Sequence, residues 1–278
     1  MSVDVSIIIL NYKSRGLVRQ QLKFFLSQTT SCATEVIVVD NNSRDGIMDM
    51  LNAEFPSVRG IASRNNRGYG SGNNIGMREA HGRYVLIVNP DIILTAAVVE
   101  GLFTFMEQHP EVGIAGPKIM NADGTLQYTC ARFPNMWLPL FRRTSLGNTK
   151  VGSRWRAHFF MESWDHAVPQ DVDWLFGSCL MVRRKAIEHV GLFDEHFFLY
   201  LEDTDWCRRF WEAGEQVWYV PTVSATHLLS RSSDVSLFNA LTNKSARSHL
   251  FSFARYLLKY RFKKNPHVEL RASPVQSP

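Results

Sequence analysis

An α/β fold with a mainly parallel central sheet and a C-terminal helical tail is predicted by two observations. The first ~115 residues alternate β-rich runs with helical patterns, as crossover helices wrapping a parallel sheet do. Polar residues gather where the apolar runs end, which is where such sheets place their ligand crevice. Residues 5–10 form a continuous β-rich run, expected of a strand buried on both faces. Residues 17–26 have helical spacing, with Leu22, Phe25 and Leu26 on one side. A second strand over 35–40 ends at an acid, a helix follows over 47–55, and 59–62 reads as a short third strand. Residues 70–80 read as a helix, 84–88 as a strand stopping at Asn89-Pro90-Asp91, 96–108 as a helix, and 112–116 closes the series. Residues 117–171 are aromatic and turn-rich with little periodicity, which predicts long loops over the sheet. Regularity returns over 172–182, followed by helices over 184–190 and 202–213 and a terminal strand over 216–220. In the tail, residues 245–262 place Leu250, Phe251, Phe253, Ala254, Leu257, Leu258 and Phe262 at largely helical spacing among cations.

Composition narrows the class. With 278 residues, 45% of them hydrophobic and 21% charged, the chain can bury a full core as one large domain or two fused lobes. Its longest purely apolar runs are far below the ~20 residues that cross a bilayer. The amino terminus lacks the pattern of a secretory leader, so a cytoplasmic location is expected. Cys32, Cys130, Cys179 and Cys207 form no C-x-x-C pair, which argues against structural zinc and a disulfide framework. The formal net charge is +5, and Arg247, Arg255, Lys259, Arg261, Lys263 and Lys264 crowd the last fifth of the chain. That end is expected to face something anionic.

Five polar clusters carry the chemistry. Asn11-Tyr12 follows the first strand and Asp40-Asn41-Asn42-Ser43 the second. Asp40 can accept hydrogen bonds from a base or ribose, or merely cap its turn. Asn65 to Asn74 is rich in glycine and amides and leads into a helix, where backbone N–H groups can approach a diphosphate. It matches neither the dinucleotide fingerprint nor the P-loop. Asn89-Pro90-Asp91 ends a buried strand, so Asp91, with Asn89 near it, can hold a hard cation such as Mg²⁺ or Mn²⁺, or form a bare turn. Glu202-Asp203-x-Asp205 opens a helix; its acids suit the helix dipole, but three exceed what capping requires, and one can act as a general base. His227 can be an imidazole ligand to the same metal or a structural histidine.

The ordered set Asn11-Tyr12, Val39-Asp40-Asn41, Asn66-x-Gly68 to Asn74, Asn89-Pro90-Asp91, Trp174-x-x-Gly177, Glu202-Asp203-x-Asp205 and His227 resembles the family 2 glycosyltransferases, most closely the bacterial rhamnosyltransferase branch that builds cell-surface polysaccharides. The resemblance covers residue 3 to about residue 230. It implies the A-type glycosyltransferase fold, a Rossmann-like nucleotide-sugar domain. Residues 1–116 would bind the nucleotide sugar, 117–230 would supply the acceptor-binding and catalytic half of the same domain, and 231–278 would be a basic amphipathic tail. By the same resemblance Asp40 binds the donor base, with Asn11, Asn41, Asn66, Arg67, Gly68, Asn74 and Asn89 also on the donor side. Asp91 takes the last position of the D-x-D motif and ligates Mg²⁺ or Mn²⁺. Asn89 departs from that motif's first acid. Asp203 matches the catalytic base, Glu202 and Asp205 are its neighbours, His227 is a further metal ligand, and Trp174 and Gly177 belong to the acceptor site.

The implied reaction is a single displacement that inverts the anomeric carbon, with Asp203 deprotonating the acceptor hydroxyl and a cation offsetting diphosphate charge. The donor would be a dTDP- or UDP-sugar, with rhamnose from dTDP-rhamnose the expected case, and the acceptor a glycan or lipid-linked intermediate. No nucleic-acid partner is expected, and a peripheral contact with the cytoplasmic face of the inner membrane is. An inactive nucleotide-sugar-binding homologue would keep Asp40 and Asp91 without needing the 202–205 acids or His227. An oxidoreductase would want glycines directly after strand one, where Asn11-Tyr12-Lys13-Ser14-Arg15 stands.

Overall fold

The computed structural model describes residues 2–229 and 244–272. The chain runs β1 (Val5–Asn11), α1 (Arg15–Leu26), β2 (Thr34–Asp40), α2 (Ile47–Glu54), β3 (Arg59–Ala62), α3 (Tyr69–Glu79), β4 (Tyr84–Val88), β5 (Ile92–Ile93), α4 (Ala96–Gln108) and β6 (Val112–Asn121). It continues through β7 (Leu126–Gln127), β8 (Cys130–Ala131), α5 (Leu138–Arg143), α6 (Lys150–Phe159), β9 (Gln170–Asp171), β10 (Trp174–Leu175), β11 (Cys179–Arg183) and α7 (Arg184–Val190). Last come α8 (Glu202–Glu212), β12 (Gln216–His227), α9 (Lys244–Tyr260) and α10 (Pro266–Ala272).

One sheet carries the molecule, in the order β3-β2-β1-β4-β11-β6-β12-β5. The β3-β2-β1-β4 block is parallel, β11 enters antiparallel between β4 and β6, and β6 pairs β12 in parallel. Residues of both halves therefore share one sheet. Alternation along a strand sends neighbours to opposite faces. Ile7 and Ile9 join Leu22 and Phe25 of α1 and Leu102 of α4 in one core. Ile8 and Leu10 join Met77 of α3, Trp206 and Phe210 of α8, and Tyr256 of α9 in the other. Each such side chain contributes about 1.5–3 kcal/mol on burial, so the helices are held by their apolar faces.

Two expectations need correction. Residues 117–171 are not long loops: β6 continues to Asn121, and β7, β8, α5, α6 and β9 follow. Those strands are two residues long, too short to show a period, and Pro139, Gly147 and Gly152 interrupt the helical spacing. The last strand extends beyond residue 220 to His227. Pro221 masks that continuity, since its register against β6 shifts between Val220 and Ser224. His227 is thus the final residue of a strand, paired with Ile92 of β5.

Candidate active site

The parallel register sets Asn11 beside Asp40 at the carboxyl ends of β1 and β2. Asn11 Nδ2 donates to Asp40 Oδ1 (3.2 Å) and to both oxygens of Asp45 (3.3 and 3.2 Å). Ser43 N–H also donates to Asp40 Oδ1 (3.1 Å). Asp40 therefore does form the turn contact expected of a capping residue. Asn41 Nδ2 donates to Asn66 Oδ1 (3.1 Å) and the Gly68 carbonyl (3.0 Å), while Gly68 N–H donates to Asn66 Oδ1 (2.9 Å). These amides shape the loop entering α3. Gly68 has φ +103°, and a Cβ there would meet the Phe198 carbonyl oxygen at 2.0 Å. Only glycine admits that approach, which lets Tyr69 N–H donate to Phe198 O (2.9 Å). Asn74 is spent on structure: its Nδ2 donates to Phe193 O (3.0 Å) and its Oδ1 accepts from Phe193 N–H (3.0 Å). Arg67 is exposed and stands 3.6 Å from Glu195.

A second group of side chains converges on a cleft of about 340 Å³ lined by Asn89, Asp91, Trp174, Gly177, Asp203 and His227, with Glu202 and Tyr69 beside them. Those six were all expected site residues. Asn11, Asp40, Asn41, Asn66, Arg67, Gly68 and Asn74 stand outside its lining, so the structure separates the expected residues into two sets.

The acids owe their position to the backbone just before α8. Tyr200 and Leu201 both adopt left-handed conformations, with φ of 69° and 67°. Non-glycine residues there cost on the order of 1–3 kcal/mol each, and such outliers cluster at functional sites. The turn delivers Glu202 and Asp203 into the cleft. Gly177 N–H donates to Asp203 Oδ2 (2.9 Å) and Thr204 N–H to Oδ1 (2.7 Å). Tyr69 OH donates to the Gly177 carbonyl (2.5 Å), so the turn before α8, the glycine-rich loop and the 177 backbone form one chain of contacts. Burial raises Asp203 above the ordinary aspartate range, opposed by those two N–H donors. Burial, reinforced by the Asp203 charge, pushes Glu202 well above the usual carboxylate range. Glu202 is 4% exposed, and its Oε2 has no partner among the described residues.

Asp205, expected with the other two, faces away. It is fully buried, accepting from Arg209 Nε (2.9 Å) and Tyr260 OH (2.8 Å), with Lys259 Nζ at 2.7 Å. Asp203 and Asp205 are two residues apart, about half a helical turn, so they cannot share a face of α8.

Asp91 and His227 meet in the same cleft, with His227 Nε2 2.9 Å from Asp91 Oδ2 and Nδ1 3.0 Å from Gln127 Oε1. With Gln127 Oε1 placed to accept from Nδ1, Nε2 is the ring nitrogen turned toward the Asp91 carboxylate. A ring nitrogen and a carboxylate oxygen that close call for a cation or a proton between them. Asp91 Oδ1 is buried and lacks a partner among the described residues. Those residues contain no group of three or more His, Cys, Asp or Glu side chains able to hold a metal. The pair nonetheless fits Mg²⁺ or Mn²⁺, which typically take one or two protein ligands and complete their shell with substrate phosphates and water. Gln127 went unnoticed in the sequence because it lies in a stretch without periodicity, and its role depends on β7 pairing β6.

Trp174 also lines the cleft, its Nε1 donating to Arg132 O (2.8 Å), as do Phe176, Leu138, Phe159 and Leu229. These residues are apolar, and two of them, Leu138 and Phe159, lie in the 117–171 segment that showed no periodicity.

The sequence model of glycosyl transferase family 2 matches residues 6–191. The chain belongs to that family. This transferase is 30% identical over 213 residues to the N-acetylglucosaminyl-diphospho-decaprenol L-rhamnosyltransferase of Mycobacterium tuberculosis, covering 73% of this chain and 69% of that protein. It is 28% identical over 226 residues to rhamnosyltransferase WbbL of Escherichia coli, covering 76% of this chain and 77% of that one. Among solved structures it is similar to the mannosyltransferase PcManGT of Pyrobaculum calidifontis in complex with GDP-Man and Mn²⁺, with TM-score 0.60, 17% identity, and coverage of 98% of this chain and 70% of that one. It is also similar to GalNAc-T7 with UDP, GalNAc and Mn²⁺, with TM-score 0.66, 13% identity, and coverage of 99% and 52%. At those identities the structural likeness shows the fold, the A-type glycosyltransferase fold. The transferase is an enzyme, and the expectation of family and fold from the ordered motifs holds.

Proposed function

We propose that the protein is an inverting, divalent-metal-dependent rhamnosyltransferase that moves the sugar from a dTDP donor onto a hydroxyl of a cell-surface glycan or its lipid-linked intermediate. The observation that carries this reading is the shared cleft, in which Asp203 faces the same space as the Asp91–His227 pair. Asp91 and His227 would hold the cation together with the donor diphosphate, and Asn89 stands beside them. When bound, that cation offsets the charge developing on the departing diphosphate.

Asp203 is the base. Its Gly177 and Thr204 hydrogen bonds fix the carboxylate so that a free lone pair can take the acceptor proton as the hydroxyl attacks. One base and one leaving group make one displacement, and one displacement inverts the anomeric carbon. Trp174 and Gly177 bound the acceptor side, where the Phe176–Leu138–Phe159 wall suits a sugar face or an apolar aglycone. Glu202 adds a second carboxyl beside the base. On the donor side, Asp40 would bind the base, with Asn11, Asn41 and Asn66 shaping that crevice and Gly68 bringing α3 to the diphosphate.

Rhamnose is supported by the names of the relatives in Mycobacterium tuberculosis and Escherichia coli, and dTDP by that of a Shigella flexneri relative, the dTDP-rhamnosyl transferase RfbF, 25% identical over 197 residues. A thermal-shift screen of nucleotide sugars with Mn²⁺ tests the donor. At ~100 times its dissociation constant the true donor stabilises the fold by about 2.7 kcal/mol. A winner other than dTDP-rhamnose overturns the sugar assignment, and stabilisation without metal-dependent donor turnover supports an inactive binding homologue.

A further inference from the structure

The basic tail predicted one apolar side, and the structure gives its main helix two. Toward the domain, Ala246, His249, Phe253, Tyr256 and Tyr260 of α9 are buried. On the opposite side, Arg247, Phe251, Arg255 and Leu258 follow one another at three- and four-residue steps, and Arg261 and Phe262 continue the line beyond the last turn. This outer stripe is not core. Phe251 is 76% exposed, Leu258 67% and Phe262 86%, and none of the three arginines forms a salt bridge with another described residue. The Arg261 guanidinium stands 4.7 Å from the Phe262 ring centroid. Phe198, also exposed, extends the ridge onto the domain across a groove of about 790 Å³ that Arg255 and His196 flank.

Apolar side chains interleaved with unpaired cations suit a surface that is oily beneath and negative on top. A water-facing helix would have no use for three large apolar groups, and a protein partner of ordinary composition would not require all three arginines of the stripe to be left without an acid. No helix among the described residues is long and apolar enough to cross a membrane.

We propose that the outer face of α9 is a docking surface for an anionic lipid bilayer, with Phe251, Leu258 and Phe262 entering the interface and Arg247, Arg255 and Arg261 meeting the headgroups. The same segment links this face to the cleft. Phe198 is exposed, whereas Leu199 and Tyr200 line the cleft with His249 of α9, and Ser252 Oγ donates to Leu199 O (2.9 Å). Docking would therefore set the acceptor wall at the membrane surface. The inference rests on the helix itself and stands apart from the choice of sugar.

The test is flotation of the full chain with vesicles of phosphatidylcholine alone and with added phosphatidylglycerol. Binding is expected only with the anionic vesicles, weakening as salt rises. Each of Arg247→Ser, Arg255→Ser and Arg261→Ser should weaken it about fivefold. Phe251→Ser/Leu258→Ser/Phe262→Ser should abolish it while leaving the melting temperature and donor hydrolysis unchanged, since those side chains lie outside core and cleft. Equal flotation with neutral vesicles, or wild-type binding by either set of variants, overturns the proposal. So does a wild-type dimer that the triple apolar variant dissolves, because the face would then be a contact between copies of this chain. Loss of donor turnover in wild type with flotation intact would count against the transferase reading alone.

Discussion

Asp203 carries two opposing influences, burial that raises its affinity for a proton and the Gly177 and Thr204 N–H groups that lower it. The net rise has a kinetic sign. A general base works ionised, so kcat/KM should fall as pH drops through an inflection above ~3.9, the ordinary aspartate value. A pH–rate profile on the wild type checks this, and a flat profile through the acidic range would contradict it. Glu202 has a sign of its own. Its pKa is raised in the folded chain relative to the unfolded one, so its contribution to stability is present at low pH and is lost as pH rises through the folded value. Glu202→Gln should therefore melt higher than wild type at neutral pH, with the gap closing as pH approaches ~4.3. A gap that does not change with pH would mean that Glu202 is not a strained carboxyl. Function is the reason to keep such a group, since active sites commonly retain residues that cost stability.

The elements around α8 explain how the strained turn persists. Asp205, on the opposite side of the helix from the cleft, is clamped by Arg209 from within α8 and by Tyr260 and Lys259 from α9. Tyr260→Phe removes one of the two partners of Asp205 Oδ1 and leaves Lys259, at a cost of about 0.5–1.5 kcal/mol, which should lower the melting temperature by roughly 1–6 °C. Donor affinity should be unchanged, and a calorimetric titration beside the melt checks both. The long elements were legible in sequence because their periods are long: α1, α2, α4 and α8 were each placed within about two residues, the usual uncertainty of helix ends. The short ones were not. A two-residue strand such as β7 has no period, and its importance lies in Gln127 reaching His227 across a hundred residues.

At the scale of the molecule, one sheet joins the 1–116 half to β11, β6 and β12, so the Asp91–His227 pair and Asp203, the proposed metal site and base, are fixed on a common frame. The ordered motifs made the cleft legible because each stands at a strand end or a helix start. What sequence could not separate was residues that face the cleft from residues that hold the frame, as Asn74 and Asp205 do, since that distinction depends on long-range partners. Removing the cation tests the frame's other side. EDTA should stop turnover, and Asp91→Ala and His227→Ala should weaken Mn²⁺-supported donor binding by ~10- to 100-fold, the loss commonly seen when a metal's support is removed. Wild-type binding by both variants would put the metal elsewhere.

Asp203→Asn decides the central claim, that this carboxylate is the base of a metal-assisted transfer. Turnover with the best nucleotide sugar and an acceptor should be compared with donor binding by calorimetry in the same preparation. A fall of ~10²- to 10⁴-fold in kcat with donor affinity unchanged is the predicted result. Turnover within about threefold of wild type would contradict it, because loss of a general base costs far more than that.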